Sequence, residues 1–177
     1  MLGLLDILRM FQGSWDLPLD AFFQLTDRLM PRYYTIASGA KKYPVDVKIA
    51  VSLETLASGR LGQVSHYLQS KQAGDTSRVF IKDSMFALPT GKTPIICVGP
   101  GTGVVPFIGF MQDREVGGGD ALGQAYLYFG CRRRDVDFIY KEDLEGWERT
   151  QVLTKFNVAL SREPGVKKTY VQDLMRE

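Results

Sequence analysis

The amino-acid sequence predicts an α/β protein, with strands joined by turns in its first half and a parallel sheet with flanking helices in its second. Three observations predict it. Val45, Val47, Ile49 and Val51 alternate with polar or small residues, the period of a half-buried strand. Beyond residue 91, three apolar runs are each followed by a helical pattern, an order that argues for parallel strands with right-handed crossovers. The first of those runs ends in a glycine-rich loop, Gly99-Pro100-Gly101-Thr102-Gly103, that leads into a helix.

Composition supports a packed protein and excludes several classes. The 177 residues are 45% hydrophobic and 24% charged, which rules out a collagen-like, disordered or disulfide-built chain. Residues 1–90 carry 10 basic and 8 acidic groups and residues 91–177 carry 12 and 12, so no basic face for nucleic acid is implied. Cys97 and Cys131 lack CxxC spacing, which suggests neither a zinc site nor a disulfide framework, and a reducing compartment is the default. The apolar opening MLGLLDILRMFQ contains Asp6 and Arg9, has no basic leading region or small-residue cleavage site, and is too short to span a bilayer.

Taken in order, Leu4, Leu5, Ile7, Leu8 and Phe11 recur at helical spacing, and a second amphipathic helix covers Leu19 to Leu29 after the breaker Pro18. Tyr33-Tyr34-Thr35-Ile36 suits a strand, Gly39 to Pro44 a turn, and Val45 to Val51 a second strand. Val64 to Ser70 reads as a short helix beginning near Gly62, and Val79-Phe80-Ile81 as a short strand. Pro89-Thr90-Gly91 reads as a linker. Pro94 to Val98 is a continuous apolar run, as expected of a strand buried on both faces. A helix over Val104 to Arg114, a flexible turn at Gly117-Gly118-Gly119 and a strand over Ala125 to Phe129 follow. Then come a helix over Arg134 to Glu148, a strand over Lys155 to Leu160 and a helix starting at Tyr170.

Three constellations carry chemistry. The glycine loop at 99–103 lets backbone approach a ligand, and the helix behind it offers N–H groups and a positive dipole end to a phosphate. A tight turn with no ligand is the plain alternative. The loop is neither GxGxxG nor a Walker A motif, and Gly91-Lys92-Thr93 is a decoy because a P-loop needs glycine where Phe86 stands. Ser161-Arg162, with Lys167, Lys168 and Tyr170 close behind, places cations and hydroxyls where a phosphomonoester such as a nucleotide 2′-phosphate binds, or forms a solvated basic turn. Arg32-Tyr33-Tyr34-Thr35, followed by Gly62-Gln63-Val64-Ser65, pairs an arginine and a helix-start serine that can clamp a diphosphate with a tyrosine face for an aromatic ring. Taken singly, a strand tyrosine packs and a helix serine caps.

The order of these motifs resembles the FAD- and NADPH-binding half of the diflavin reductase family, typified by NADPH-haemoprotein reductases. The resemblance runs from about Leu17 to the last residue. It passes through Pro-Arg-Tyr-Tyr-Thr-Ile-Ala-Ser at 31–38, Gly-Pro-Gly-Thr-Gly-Val-Val-Pro-Phe at 99–107, Tyr-Phe-Gly-Cys-Arg at 128–132, and Ser-Arg-Glu to Tyr-Val-Gln at 161–172. It implies a ferredoxin-reductase-like module, with residues 1–30 a remnant of a connecting helical region. Residues 31–90 would be part of an antiparallel flavin-binding β-barrel and residues 91–177 the N-terminal part of a Rossmann-like NADPH-binding domain, both incomplete.

By the same resemblance, Arg32 would bind the FAD diphosphate, Tyr34 would pack on the isoalloxazine, and Thr35, the one catalytic assignment, would place its hydroxyl near the flavin N5 in the family's usual serine position. Gly62, Gln63, Val64 and Ser65 would hold the FAD diphosphate, with His66 an exposed neighbour. Gly101 and Thr102 would meet the NADPH diphosphate and Arg132 would stay close to it. Ser161, Arg162, Lys168 and Tyr170 would select the 2′-phosphate, with Gln172 near the adenine-ribose end. No metal site is expected. The implied activity is hydride transfer from NADPH to FAD, with electrons passing to a haem protein through an FMN domain not in this sequence, at a cytoplasmic location. The alternative is a truncated nucleotide-binding fragment that folds and binds NADPH without turnover.

Overall fold

The structure is a computed structural model that describes residues 4–14, 16–117 and 122–176. Gly118 and Gly119 of the expected turn lie outside the described residues, and Gly117 is the last residue of a helix. The chain divides into two compact units, Met1–Tyr33 and Tyr34–Glu177.

In the first unit, α1 spans Leu4–Met10, as the spacing predicts. Helix α2 spans only Leu19–Gln24, shorter than the stretch to Leu29. The Thr26 hydroxyl donates to the Phe23 carbonyl oxygen, and this local side-chain bond competes with further helical turns.

In the second unit, residues 34–90 depart most from expectation. The strands foreseen at 33–36, 45–51 and 79–81 do not form. Single antiparallel bridges, Ile36 to Ile49 and Thr55 to Leu61, stand in their place, and no barrel is present among the described residues. A period-2 pattern becomes a strand only when a neighbouring ladder satisfies its backbone and covers one face. Here Val45 and Val79 are 90% and 85% exposed. The turn at 39–44 does form, closed by the Tyr43 N–H on the Gly39 carbonyl at 2.9 Å. Helix α3 spans Gln63–Gln69 with Gly62 as its N-cap.

The second half holds the core. Strands β1 (Ile95–Pro100), β2 (Ala125–Cys131) and β3 (Lys155–Leu160) form one parallel sheet in the order β1-β2-β3. Helix α4 (Val105–Gly117) connects the first pair and α5 (Lys141–Arg149) the second. The sequence dictates these elements locally. Pro106 sits in the first turn of α4, where its missing N–H costs nothing, and α5 places Glu142 and Asp143 at its positive end and Arg149 at its negative end.

One sheet face is packed. Cys97, Leu127, Phe129 and Cys131 meet Val104, Ile108 and Met111 from the α4 side and Leu144 and Trp147 from α5. Each large side chain fully buried there contributes about 1.5–3 kcal/mol relative to exposure. Phe129 adds ring contacts to Phe138 and Phe156 at centroid distances of 5.3 and 6.4 Å. The expectation of burial on both faces fails for β1, whose Ile96 and Val98 are 67% and 38% exposed. The apolar run marks a strand, but both crossover helices lie on the face that carries Cys97.

Two helix boundaries also shift. The helix foreseen from Arg134 begins at Lys141, because Asp137 captures the N–H groups of Arg132 and Arg133 and folds residues 132–137 into a loop. The last helix, α6, covers only Val171–Leu174. The 39–42 segment is fastened to α4 by the Gly39 N–H on Gln112 Oε1 at 2.9 Å and the Lys41 N–H on Asp113 Oδ1 at 2.8 Å.

Candidate functional site

Parallel strands deliver their following loops to one edge of the sheet, and here three loops meet at the carboxyl edge of β1, β2 and β3. After β1, residues Gly101–Val104 form a 3₁₀ turn that runs directly into α4. Glycine is required at two places in this loop. A Cβ at Gly99 would lie 2.7 Å from the Gly103 carbonyl and the Val104 Cα, and Gly101 holds φ +56°, the left-handed region. Gly101 and Thr102 therefore lie on a turn whose backbone passes close to the end of β1, with the start of the helix behind them.

After β2 and β3, the ends are cross-linked. The Ser161 N–H donates to the Cys131 carbonyl at 3.1 Å and the Arg162 N–H to the Arg132 carbonyl at 2.9 Å, so both pairs are neighbours by backbone alone. The Ser161 hydroxyl reaches the same Cys131 carbonyl at 3.4 Å. The Thr169 N–H returns to the Leu160 carbonyl at 2.9 Å, bringing Lys168 and Tyr170 back to the strand from which Ser161 departs. Lys168 Nζ lies 5.0 Å from the centre of the Tyr170 ring, a cation over an aromatic face. The Tyr170 N–H donates to Asp173 Oδ2 at 2.9 Å and fixes the start of α6, which carries the exposed Gln172. Gly130 allows this convergence, since a Cβ there would come within 3.1 Å of Val171 and 3.4 Å of Pro100.

The structure thus gathers Gly101, Thr102, Arg132, Ser161, Arg162, Lys168 and Tyr170 on loops at one sheet edge, with Gln172 on α6 beside them. Arg132 is held by Asp137 through its Nε at 3.1 Å, yet its side chain remains 57% exposed. The residues that sequence reasoning missed are the carboxylates Asp137 and Glu163. The signal for them was acids following arginines directly after a strand, in Arg132-Arg133-Arg134-Asp135-Val136-Asp137 and in Ser161-Arg162-Glu163.

The earlier residues are arranged less tightly. Arg32 is exposed and belongs to the first unit. In the second unit, Tyr34 is half-buried and Thr35 exposed, next to the bridge from Ile36 to Ile49. Among residues 62–65, a Cβ at Gly62 would lie 2.9 Å from Glu54 Cβ, and Ser65 is buried. The Ser65 hydroxyl donates to the Gly62 carbonyl at 3.1 Å and accepts the Glu54 N–H at 3.2 Å, while Gln63 and Val64 complete the first turn of α3. His66 is half-buried instead of exposed, with Nδ1 3.0 Å from the Gly62 carbonyl oxygen. A cleft of about 450 Å³ lies between this helix and the 49–53 segment, lined by Ile49, Leu53, Ser65 and Leu68.

Cys97 and Cys131 are buried, and burial pushes both thiols up to about 11, so neither is an activated nucleophile. Among the described residues there is no group of three His, Cys, Asp or Glu that could hold a metal, and no helix long and apolar enough to cross a membrane.

Residues 97–177 match the oxidoreductase NAD-binding domain family. The chain is 44% identical over 186 residues to the bifunctional cytochrome P-450/NADPH–P-450 reductase 1 of Bacillus subtilis, covering 99% of this chain and 17% of that protein. It is 44% identical over 171 residues to the NADPH–cytochrome P-450 reductase of Drosophila melanogaster and 43% identical over 174 residues to that of Homo sapiens. Each of these covers 90% of this chain and 25% of the relative.

Over 90–99% of its own length the chain is similar to one part of these NADPH–cytochrome P-450 reductases. It spans about a sixth to a quarter of the length of these reductases. The loops at the sheet edge, from Gly101 to Gln172, all fall inside the NAD-binding match, whereas Arg32, Tyr34, Thr35 and Gly62 to Ser65 precede it. From Cys97 onward, the parallel sheet and its carboxyl-edge loops therefore fall within the match to the oxidoreductase NAD-binding domain.

Proposed function

We propose that this chain is the nucleotide-binding portion of an NADPH-dependent flavoprotein reductase that passes hydride from NADPH to FAD and electrons onward to a haem protein. One observation carries the reading: the glycine turn at Gly101–Thr102 and the cations Arg132, Arg162 and Lys168 are delivered to the same edge of one parallel sheet. Three cations, a serine hydroxyl and a tyrosine face form a donor set suited to a phosphomonoester attached to a ribose. Residues 31–90 are assigned to the flavin half and residues 91–177 to the pyridine-nucleotide half.

In this reading, Gly101 and Thr102 lie along the NADPH diphosphate, with Arg132 beside it. Ser161, Arg162, Lys168 and Tyr170 hold the 2′-phosphate, and Gln172 faces the adenine-ribose end. Arg32 and residues Gly62 to Ser65 take the FAD diphosphate, Tyr34 packs on the flavin ring and Thr35 presents its hydroxyl to N5. The bound cofactors supply the hydride chemistry, and the protein contributes position and electrostatics.

A second reading is a fragment that binds NADPH without turnover. It is favoured by the single bridges of residues 34–90, which leave Val45 and Val79 exposed where a flavin-binding barrel would pack them. The test is direct: add FAD to the purified chain, look for bound flavin absorbance, and titrate NADPH against NADH by calorimetry. Flavin binding with a preference for NADPH supports the reductase reading. NADPH preference without flavin supports the second, and no preference for the phosphorylated nucleotide overturns both.

A further inference from the structure

We propose that Asp137 and Glu163 are positioning residues of the nucleotide-binding rim, two carboxylates that fold the loop after β2 and fasten it to the turn after β3 so that Arg132 and Arg162 face one phosphate-bearing ligand together. The proposal rests on the nucleotide reading above and deepens it.

The physical problem begins in the sequence. Arg132, Arg133 and Arg134 are three successive cations on one loop, and their mutual repulsion opposes any single compact arrangement. Asp137 resolves it. Its carboxylate accepts the Arg132 N–H at 3.0 Å, the Arg133 N–H at 2.8 Å and the Arg132 Nε–H at 3.1 Å, while its own N–H donates to the Arg133 carbonyl at 3.2 Å. Successive backbone N–H groups pointing into one concavity form a natural anion site, and this one is filled from within the chain. Burial works against ionising Asp137, but the bonds from Arg133 and Arg132 outweigh it and hold the carboxyl below its usual range.

The consequence for Arg132 is geometric. With Nε committed to Asp137 and the side chain still 57% exposed, the guanidinium is anchored at one nitrogen while its terminal nitrogens remain for a ligand. A bidentate contact to phosphate uses such a pair of nitrogens. Arg133 is used differently, since both its Nε and Nη2 pair with Asp135 at 3.0 and 2.6 Å. The acids therefore divide the arginines into one that is locked in a local pair and one that is anchored at a single nitrogen.

Glu163 supplies the second fastening. Its Oε2 accepts the Arg134 N–H at 2.9 Å, next to the Arg162 N–H that donates to the Arg132 carbonyl. The dipeptide Arg162-Glu163 thus clips onto residues 132–134 at two points, one backbone and one carboxylate. Six cations (Arg132, Arg133, Arg134, Arg162, Lys167 and Lys168) stand in these two segments against three acids (Asp135, Asp137 and Glu163), so the rim keeps a positive surplus after its internal pairing.

The test is a double-mutant cycle on the purified chain, with NADPH and NADH as calorimetric probes. Asp137→Asn and Arg132→Ala are each expected to weaken NADPH binding about tenfold, the scale of one charge-assisted contact. In the Arg132→Ala background, Asp137→Asn should change NADPH affinity by less than about twofold, because its effect passes through the arginine. Equal losses in both backgrounds would assign Asp137 to general structure and overturn the proposal, as would an unchanged affinity in Arg132→Ala. Where Asp137→Asn does not fold, the cycle of Glu163→Gln with Arg162→Ala reads the same coupling. A parent chain that binds neither nucleotide refutes the underlying function instead, and the positioning claim is then read by NMR. The Arg132 and Arg133 amide signals should shift as Asp137 titrates in acid, and amides that do not follow it overturn the claim.

Discussion

The Arg162 N–H donates to the Arg132 carbonyl oxygen at 2.9 Å, so two arginines thirty residues apart in sequence leave the sheet as neighbours. The β2–β3 register sets this pairing, with Cys131 opposite Leu160 as its last rung. Both residues leave the sheet at the same edge because the strands stop together.

Arg162→Ala is expected to weaken NADPH binding by about 1.5–3 kcal/mol while leaving NADH unchanged, the cost of one charge-assisted contact to the 2′-phosphate. Calorimetry with both nucleotides measures it, and equal losses for the two would remove Arg162 from that role.

Gly99→Ala should destabilise the chain more than Gly101→Ala. At Gly99 the new Cβ meets backbone at 2.7 Å, which no side-chain rotation relieves, whereas at Gly101 it meets open space and pays only for φ +56°. For Gly101→Ala the expected loss is about 1–2 kcal/mol. Urea midpoints of the two variants, compared with the parent, should fall in that order.

Leu144→Ala removes a fully buried side chain between α5 and the sheet, and about 2–5 kcal/mol of stability should go with it. A loss under about 1 kcal/mol in denaturant titration would mean that α5 does not pack on the sheet as described.

The two buried thiols give a pH signature. Burial raises Cys97 and Cys131 from an ordinary value of 9.0 to about 11, so the folded chain keeps its thiol protons where the unfolded chain loses them. Their contribution is complete below about pH 9 and declines as pH rises toward 11, because the folded state then binds more protons than the unfolded. The drop in urea midpoint between pH 8 and pH 10 should be smaller in Cys97→Ala/Cys131→Ala than in the parent. An identical drop in both would show that the thiols are not the source.

Much of the second half was legible in the chain itself. The apolar runs at 94–98 and 125–129 and the segment 155–160 all became strands, because continuous apolar and aromatic residues lose little by pairing and gain by burial. The glycine loop and Ser161-Arg162 were also legible, since few residue types tolerate a left-handed turn or offer a planar cationic fork. Asp137 and Glu163 were not, because an acid among arginines reads as a solvated pair until the backbone N–H groups it accepts are known.

The sequence by itself determined the α/β class, the order of strand and helix beyond residue 91 and the chemistry available at each loop there, all of which depend on neighbours within a few positions. Only the tertiary structure decided which sheet face is covered, that Val45 to Val51 would find single bridges instead of a ladder, and that Asp137 would bind the backbone and Nε of Arg132. Those outcomes depend on partners distant in sequence, and a hydrogen bond or a covered face exists only when both sides arrive.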